Sequence, residues 1–311
     1  MGEEKYMKIW ITGSSGSLGR ELVSTAKQRF TATEILSPTR SELDLLDQDE
    51  VQDFVKKNKP THVYHLAAQV YGIEGHKENP AKSLLINSAI DLSVFSALCS
   101  YPPEWVYYSS SVAAYGYPYV SLPLRELDWL NGSPHKSEYG YSISKRNAKG
   151  FLDFMRLETG LNFSYGLTTN LFGTGDRFQN GGGHVVISLL EKAILAKQNK
   201  TPLKIWGSGE ASRDFLSTKD AAQIILDLQG KHTDLINIAS GHEIAIQELA
   251  HLVTDIFEIK SGFYFSGENE GVVKRFCSVE KLHEFSDRSL FVDSISRLST
   301  EIFNFKNKQG Q

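Results

Sequence analysis

The chain has 311 residues, 41% of them hydrophobic, and a formal net charge of -4. That is enough apolar material for one large domain or two joined lobes. A weakly acidic balance with no basic block argues against nucleic acid or an anionic membrane as a partner. Cys99 and Cys277 lie far apart and in no metal-ligand spacing, which fits a reduced, cytoplasmic setting and no metal site. The start, Met1 to Met7, is short and polar, unlike a signal peptide, and no apolar run approaches the roughly 20 residues of a membrane span.

Lys8–Thr12 is a short apolar run, expected as a buried first strand. It leads into Gly13-Ser14-Ser15-Gly16-Ser17-Leu18-Gly19 and then into a helix opening near Arg20. Glycines at that spacing between strand and helix let backbone approach a pyrophosphate, and the helix N-terminus meets its charge. The Gly-x-x-Gly-x-x-Gly order departs from the usual Gly-x-Gly-x-x-Gly fingerprint. Glu34–Ser37 reads as the second strand. The position after such a strand reads the adenosine ribose, where a base accommodates the 2′-phosphate of NADP(H). Arg40 stands there with no acid before Glu42, so it either meets that phosphate or is a surface arginine, and the residues alone leave both open.

Asp44-Leu45-Leu46-Asp47 precedes a helix over 50–57, and His62–Leu66 is the third strand, ending in Ala67 and Ala68. His62 and His65 alternate along it and read as core or loop-facing residues, with no partner at metal spacing. A further helix runs from Pro80 to about Leu98. Trp105–Tyr108 is the fourth strand, followed by Ser109, Ser110 and Ser111. Hydroxyls at the carboxyl end of a parallel strand stand where open α/β sheets bind ligands. Tyr141 and Lys145 then sit four apart on an expected helix, hence on one face. An ammonium beside a phenol is expected to lower its pKa, normally about 10, so that it passes protons near neutral pH.

Residues 162–170 read as another strand. Past it the alternation of strand and helix loosens. A helix is expected over 184–197, strands over 203–205 and 213–217, a helix from 219 to about 228, a strand over 235–239 returning to the main sheet, and a helix over 247–257. The expected fold is α/β, a Rossmann-type doubly wound parallel sheet with a smaller C-terminal substrate-binding lobe. The cofactor-binding part covers 1–170, and the substrate part lies mainly in 171–311.

Gly13/Gly16/Gly19, a serine at the end of the fourth strand and Tyr141-x-x-x-Lys145 together resemble the extended short-chain dehydrogenase/reductase family of sugar-nucleotide epimerases, dehydratases and reductases. Within it the chain is most similar to the GDP-L-fucose synthase branch, through 39–47, Asn170-Leu171-Phe172-Gly173, 183–186, Trp206-Gly207-Ser208-Gly209 and Arg213-Asp214-Phe215-Leu216. The resemblance implies an NADP(H)-dependent enzyme on a nucleotide-diphosphate sugar, and a homodimer. It implies Ser111, Tyr141, Lys145 and His184 as catalytic residues. The implied cofactor contacts are Gly13, Ser15, Gly16, Ser17, Leu18, Gly19, Arg40, Asp44, Leu45, Leu66, Ala67, Ala68, Ser109, Tyr141, Lys145, Asn170, Leu171 and His184. The implied substrate contacts are Ser110, Ser111, Asn170, Lys192, Trp206, Arg213 and Arg275, arginines suiting phosphates because they bind them bidentately.

Two positions depart from that branch. Ala113 stands where it has a cysteine base, so C4 reduction of a 4-keto-6-deoxy sugar is expected without C3/C5 epimerisation. Ser15 stands where it has a cofactor-binding arginine. The rival readings are an NAD-holding nucleotide-sugar 4-epimerase, since Ser-Ser-Ser-x-x-x-Tyr-Gly is also similar to UDP-glucose 4-epimerases, and a non-catalytic NADP(H)-binding sensor.

Overall fold

The computed structural model describes residues 7–71, 78–173, 176, 185–267, 271–286, 299–300 and 302–306. The first half alternates strand and helix: β1 (Lys8–Thr12), α1 (Ser17–Arg29), β2 (Glu34–Leu36), α2 (Gln48–Asn58), β3 (His62–His65), α3 (Pro80–Ser100), β4 (Trp105–Ser111), α4 (Tyr139–Thr159) and β5 (Asn162–Thr168). The remainder comprises β6 (Asn170–Phe172), α5 (Val185–Asn199), β7 (Leu203–Ile205), β8 (Ser212–Arg213), β9 (Phe215–Ser217), α6 (Thr218–Asp227), β10 (Asp234–Ile238), β11 (Ile244–Ala245), α7 (Ile246–Phe257), β12 (Phe263–Phe265) and β13 (Lys274–Arg275).

Six strands form one parallel sheet in the order β10-β5-β4-β3-β1-β2. Successive side chains point to opposite faces, and both faces are buried. Ile9, Ile11, Tyr64 and Tyr107 pack with Leu22 of α1 and Ile224 of α6. Trp10, Val63, Val106 and Tyr108 pack with Val51 of α2, Phe95 of α3 and Leu152 of α4. Each large apolar side chain buried this way contributes about 1.5–3 kcal/mol. The chain leaves β1 on one side for β2 and returns on the other for β3. That reversal opens a crevice beyond the carboxyl ends of β1 and β3. A smaller C-terminal region has its own core, built on Leu189 and Leu190 of α5, Leu203 of β7 and Leu249 of α7.

Several boundaries differ from the sequence expectations, each for a local reason. β4 does not stop at Tyr108 but carries the three serines within the strand, paired to Gly166, Leu167 and Thr168 of β5. The strand expected over 162–170 is two: β5 ends at Thr168, and Asn170 starts β6, which pairs with β9 in another sheet. The strand expected over 213–217 is also two. It breaks at Asp214, whose buried carboxylate accepts from the N–H groups of Ser240 (2.9 Å) and Gly241 (3.0 Å) and from the Ser240 hydroxyl (2.8 Å). The returning strand is β10, at the sheet edge beside β5.

Helix α3 corrects the expectation about apolar length. Among the described residues it alone is long and apolar enough to cross a membrane. It packs instead as a core helix between α2 and α4, and its buried Asn87 and Asp91 are hydrogen-bonded within the protein.

Candidate active site

The crevice is a groove of about 630 Å³. The turn between β1 and α1 forms one end. Gly13 has φ +68°, where glycine is at ease, and a Cβ on it would lie 2.8 Å from the Ala67 nitrogen. A Cβ on Gly19 would lie 2.1 Å from the Gly13 carbonyl oxygen, so that helix can start this close to the turn only with glycine there. Gly16 is the N-cap of α1 and offers no side chain to the first-turn N–H groups. Beside them, the buried hydroxyl of Ser17 has no hydrogen-bond partner among the described residues. Amide dipoles and an unused hydroxyl at a helix N-terminus fit a phosphate oxygen. Ser15, Leu18, Leu66, Ala67 and Ala68 line the same end, together with Asp44, Leu45 and Arg40. The guanidinium of Arg40 is 72% exposed and 3.9 Å from Asp44 Oδ1, so it remains open to a further anion. Arg20, which sequence reasoning passed over, donates from Nη1 to the Ser15 carbonyl (2.5 Å), bringing a second cation to the turn.

At the other end the groove meets Ser109, Ser110, Ser111, Tyr141 and Lys145. Ser111 Oγ accepts from the Ala113 N–H (3.1 Å), which keeps its own proton for a ligand. Ser110 differs: its hydroxyl donates to the Tyr165 hydroxyl (2.8 Å), so it is committed to the core. Lys145 is buried, with Nζ donating to the Tyr108 hydroxyl (3.1 Å) and the Ser109 carbonyl (2.9 Å), and it lies 5.6 Å from the centre of the Tyr141 ring. Burial pushes the Lys145 ammonium below its ordinary range, and Asp91 works against that fall.

The expected lowering of the Tyr141 pKa by Lys145 is not what the structure has. Burial, followed by the charges of Glu138 and Asp91, pushes the phenol above its ordinary value. The ammonium is spent on Tyr108 and Ser109. The phenol therefore stays protonated throughout the neutral range, and it stands in the groove as a proton donor.

Other expected residues lie elsewhere. Asn170 does not line the groove; its amide donates to the Asp214 carbonyl (3.0 Å), while Leu171 beside it does line it. Lys192 lies on α5, and Trp206 is 50% exposed; neither lines the groove. Arg213 and Arg275 are register partners on β8 and β13. Arg275 donates to Glu138 (2.7 Å) and Tyr119 (2.7 Å). Burial opposes its charge, but Glu138 and Tyr119 outweigh burial and hold the guanidinium above its usual range. Arg213 bonds the carbonyls of Ser212 and Val273, and burial and Arg275 push it down to about 10. His184 lies outside the described residues. Sequence reasoning also missed Gln69, Thr168, Thr169 and Asp176 on the groove wall. Isolated polar residues in loops and at a strand end carry no spacing signal, and only the fold brings them there.

The sequence profile described as "NAD dependent epimerase/dehydratase family" matches residues 9–239. A GDP-L-fucose synthase from Sinorhizobium fredii is 32% identical over 280 residues, covering 88% of this chain and 88% of that protein. A GDP-L-colitose synthase from Yersinia pseudotuberculosis is 26% identical, covering 97% and 99%. The solved structure of MlghC, a GDP-mannoheptose C4 reductase from Campylobacter jejuni with NADP bound, superposes with a TM-score of 0.84 at 23% identity, covering 99% and 100%.

Proposed function

Because the chain belongs to the NAD dependent epimerase/dehydratase family, we propose that it is an NADPH-dependent C4 reductase of a GDP-linked 4-keto-6-deoxy sugar. The observation that carries this reading is the gathering of Ser111, Tyr141 and Lys145 in one groove with the glycine turn. The similarity to GDP-L-fucose synthase and to a GDP-sugar C4 reductase supports the substrate class.

A bound reduced nicotinamide supplies the hydride. The chain's residues do the rest. The N-terminus of α1 and Ser17 hold the diphosphate of the dinucleotide, and Arg40 takes the 2′-phosphate. Tyr141 donates its proton to the C4 oxygen as that oxygen gains charge. Ser111 donates a hydrogen bond to the same oxygen. Lys145, a cation beside them, favours negative charge on the C4 oxygen. Arg213 and Arg275 lie opposite each other outside the groove, and Arg275 is already paired with Glu138, so the sugar nucleotide's diphosphate is not assigned to them. Epimerisation is not part of the proposed reaction. Ala113 is buried, its carbonyl accepts from the Ser142 hydroxyl (2.8 Å), and a methyl group cannot take a proton from carbon.

The test mixes the protein with NADPH and a GDP-linked 4-keto-6-deoxy sugar and follows the absorbance of the reduced cofactor. Oxidation with an unlabelled C3 and C5 in deuterated water is the expected result. No oxidation sinks the reductase, and deuterium at C3 or C5 sinks the assignment at Ala113. A homodimer is proposed with it, because Leu85 and Leu92 of α3 and Phe154 and Leu157 of α4 expose large apolar side chains. Light scattering that reports one chain per particle contradicts the dimer.

A further inference from the structure

We propose that Asp91 is a positioning residue for Lys145, the buried counter-charge that keeps it an ammonium and ties it through Tyr108, His65 and Thr12 to the glycine turn. Lys145 is 1% exposed and Asp91 2%. Both hydrogen-bond partners of Nζ, the Tyr108 hydroxyl and the Ser109 carbonyl, are neutral. A buried ammonium without a counter-charge is costly and tends to lose its proton. Asp91 is the single acidic residue of α3, and it does not line the groove. Its Oδ2 accepts from the Tyr108 hydroxyl (2.8 Å). That hydroxyl has one proton and gives it to the carboxylate, so it can only accept from Lys145. The bond directions thus run ammonium, hydroxyl, carboxylate, with the phenol bridging two opposite charges.

The other oxygen of Asp91 continues the chain. Oδ1 is 3.0 Å from His65 Nε2, and His65 Nδ1 is 2.7 Å from Thr12 Oγ1. Thr12 Oγ1 already accepts from the N–H groups of Leu66 (3.1 Å) and Ala67 (3.2 Å). Its proton must therefore go to Nδ1, which assigns the imidazole the tautomer with its hydrogen on Nε2, donated to Asp91. The chain ends where Gly13 and Ala67 touch in the cofactor groove. The groups facing Lys145 are Tyr141 on its own helix, Asp91 from α3 with His65 of β3 behind it, Tyr108 from β4 and Tyr165 from β5, whose hydroxyl donates to the Lys145 carbonyl (2.6 Å). Among them Asp91 is the one carboxylate, and burial, chiefly, holds the three phenols protonated.

The first measurement needs neither cofactor nor substrate: melting temperature against pH, from neutral to about pH 10, for the wild type, Asp91→Asn, Asp91→Glu and Tyr108→Phe. At neutral pH Asp91→Asn leaves a buried ammonium without its counter-charge, so it melts lower. As pH rises through the lowered Lys145 value the ammonium disappears, and the deficit narrows. Asp91→Glu restores the wild-type pH dependence, and Tyr108→Phe, which keeps the carboxylate, gives a smaller deficit that narrows in the same direction. The second measurement rests on the reduction proposed above. The alkaline limb of kcat for NADPH oxidation moves down by about one pH unit in Asp91→Asn and stays in place in Asp91→Glu. A deficit equal at every pH, with an unmoved limb, makes Asp91 a neutral polar plug and overturns the inference. If Asp91→Asn does not fold, a pH-independent Tyr108→Phe deficit overturns it as well. A narrowing deficit in a protein that reduces no keto sugar upholds Asp91 and sinks the reductase alone.

Discussion

At Tyr141 the decisive quantity is burial, not the neighbouring charge. The phenol is pushed above its ordinary value, which suits it to the acid's role in the proposed carbonyl reduction. Tyr141→Phe should lower kcat about 10²- to 10⁴-fold while NADPH still quenches or shifts fluorescence on binding. A kcat within twofold of wild type would remove Tyr141 from the chemistry. Gly19 works by absence: a methyl group there meets the Gly13 carbonyl at 2.1 Å and the Ser14 Cα at 2.9 Å. Gly19→Ala is expected to cost about 1–3 kcal/mol in denaturant unfolding and to weaken NADPH binding, because the turn must shift to admit it.

On the proposed reading, the elements around the groove would divide the dinucleotide between them. The start of α1 would meet the diphosphate, and the loop after β2 carries Arg40 at the same end of the groove. Arg40→Ala should raise Kd for NADPH about ten- to hundredfold and leave NADH unchanged, as expected for one charge-assisted contact to a 2′-phosphate; equal losses for both cofactors would place Arg40 elsewhere. Helix α2 is anchored behind that loop by Asp47, whose carboxylate accepts from the N–H groups of Asp49 (3.1 Å) and Glu50 (3.0 Å). Asp47→Ala should cost about 1 kcal/mol of unfolding free energy. An unchanged denaturation midpoint would show that packing of Val51 and Val55 alone holds the helix.

Across the whole molecule, the Arg275–Glu138 pair joins the C-terminal strand β13 to the residue before α4, the helix that carries Tyr141 and Lys145. Its side chains are 7% and 19% exposed. Glu138→Gln leaves Arg275 buried without its carboxylate, and a loss of about 3–5 kcal/mol in stability is expected; a loss below 1 kcal/mol would mean that Tyr119 suffices as partner. The chain order alone determined the alternation of β1 to β5, the glycine turn, the serines and the Tyr141/Lys145 helix, because each is marked by a local run or spacing of residue types. It also marked β10 as returning to the sheet. Tertiary structure decided what depends on distant neighbours. Burial reversed the expected tuning of Tyr141, and Asp214 split one strand into two. Arg275 found Glu138 instead of an open groove. Charge, exposure and hydrogen-bond partners at a site are set by residues dozens of positions away, and no local spacing records them.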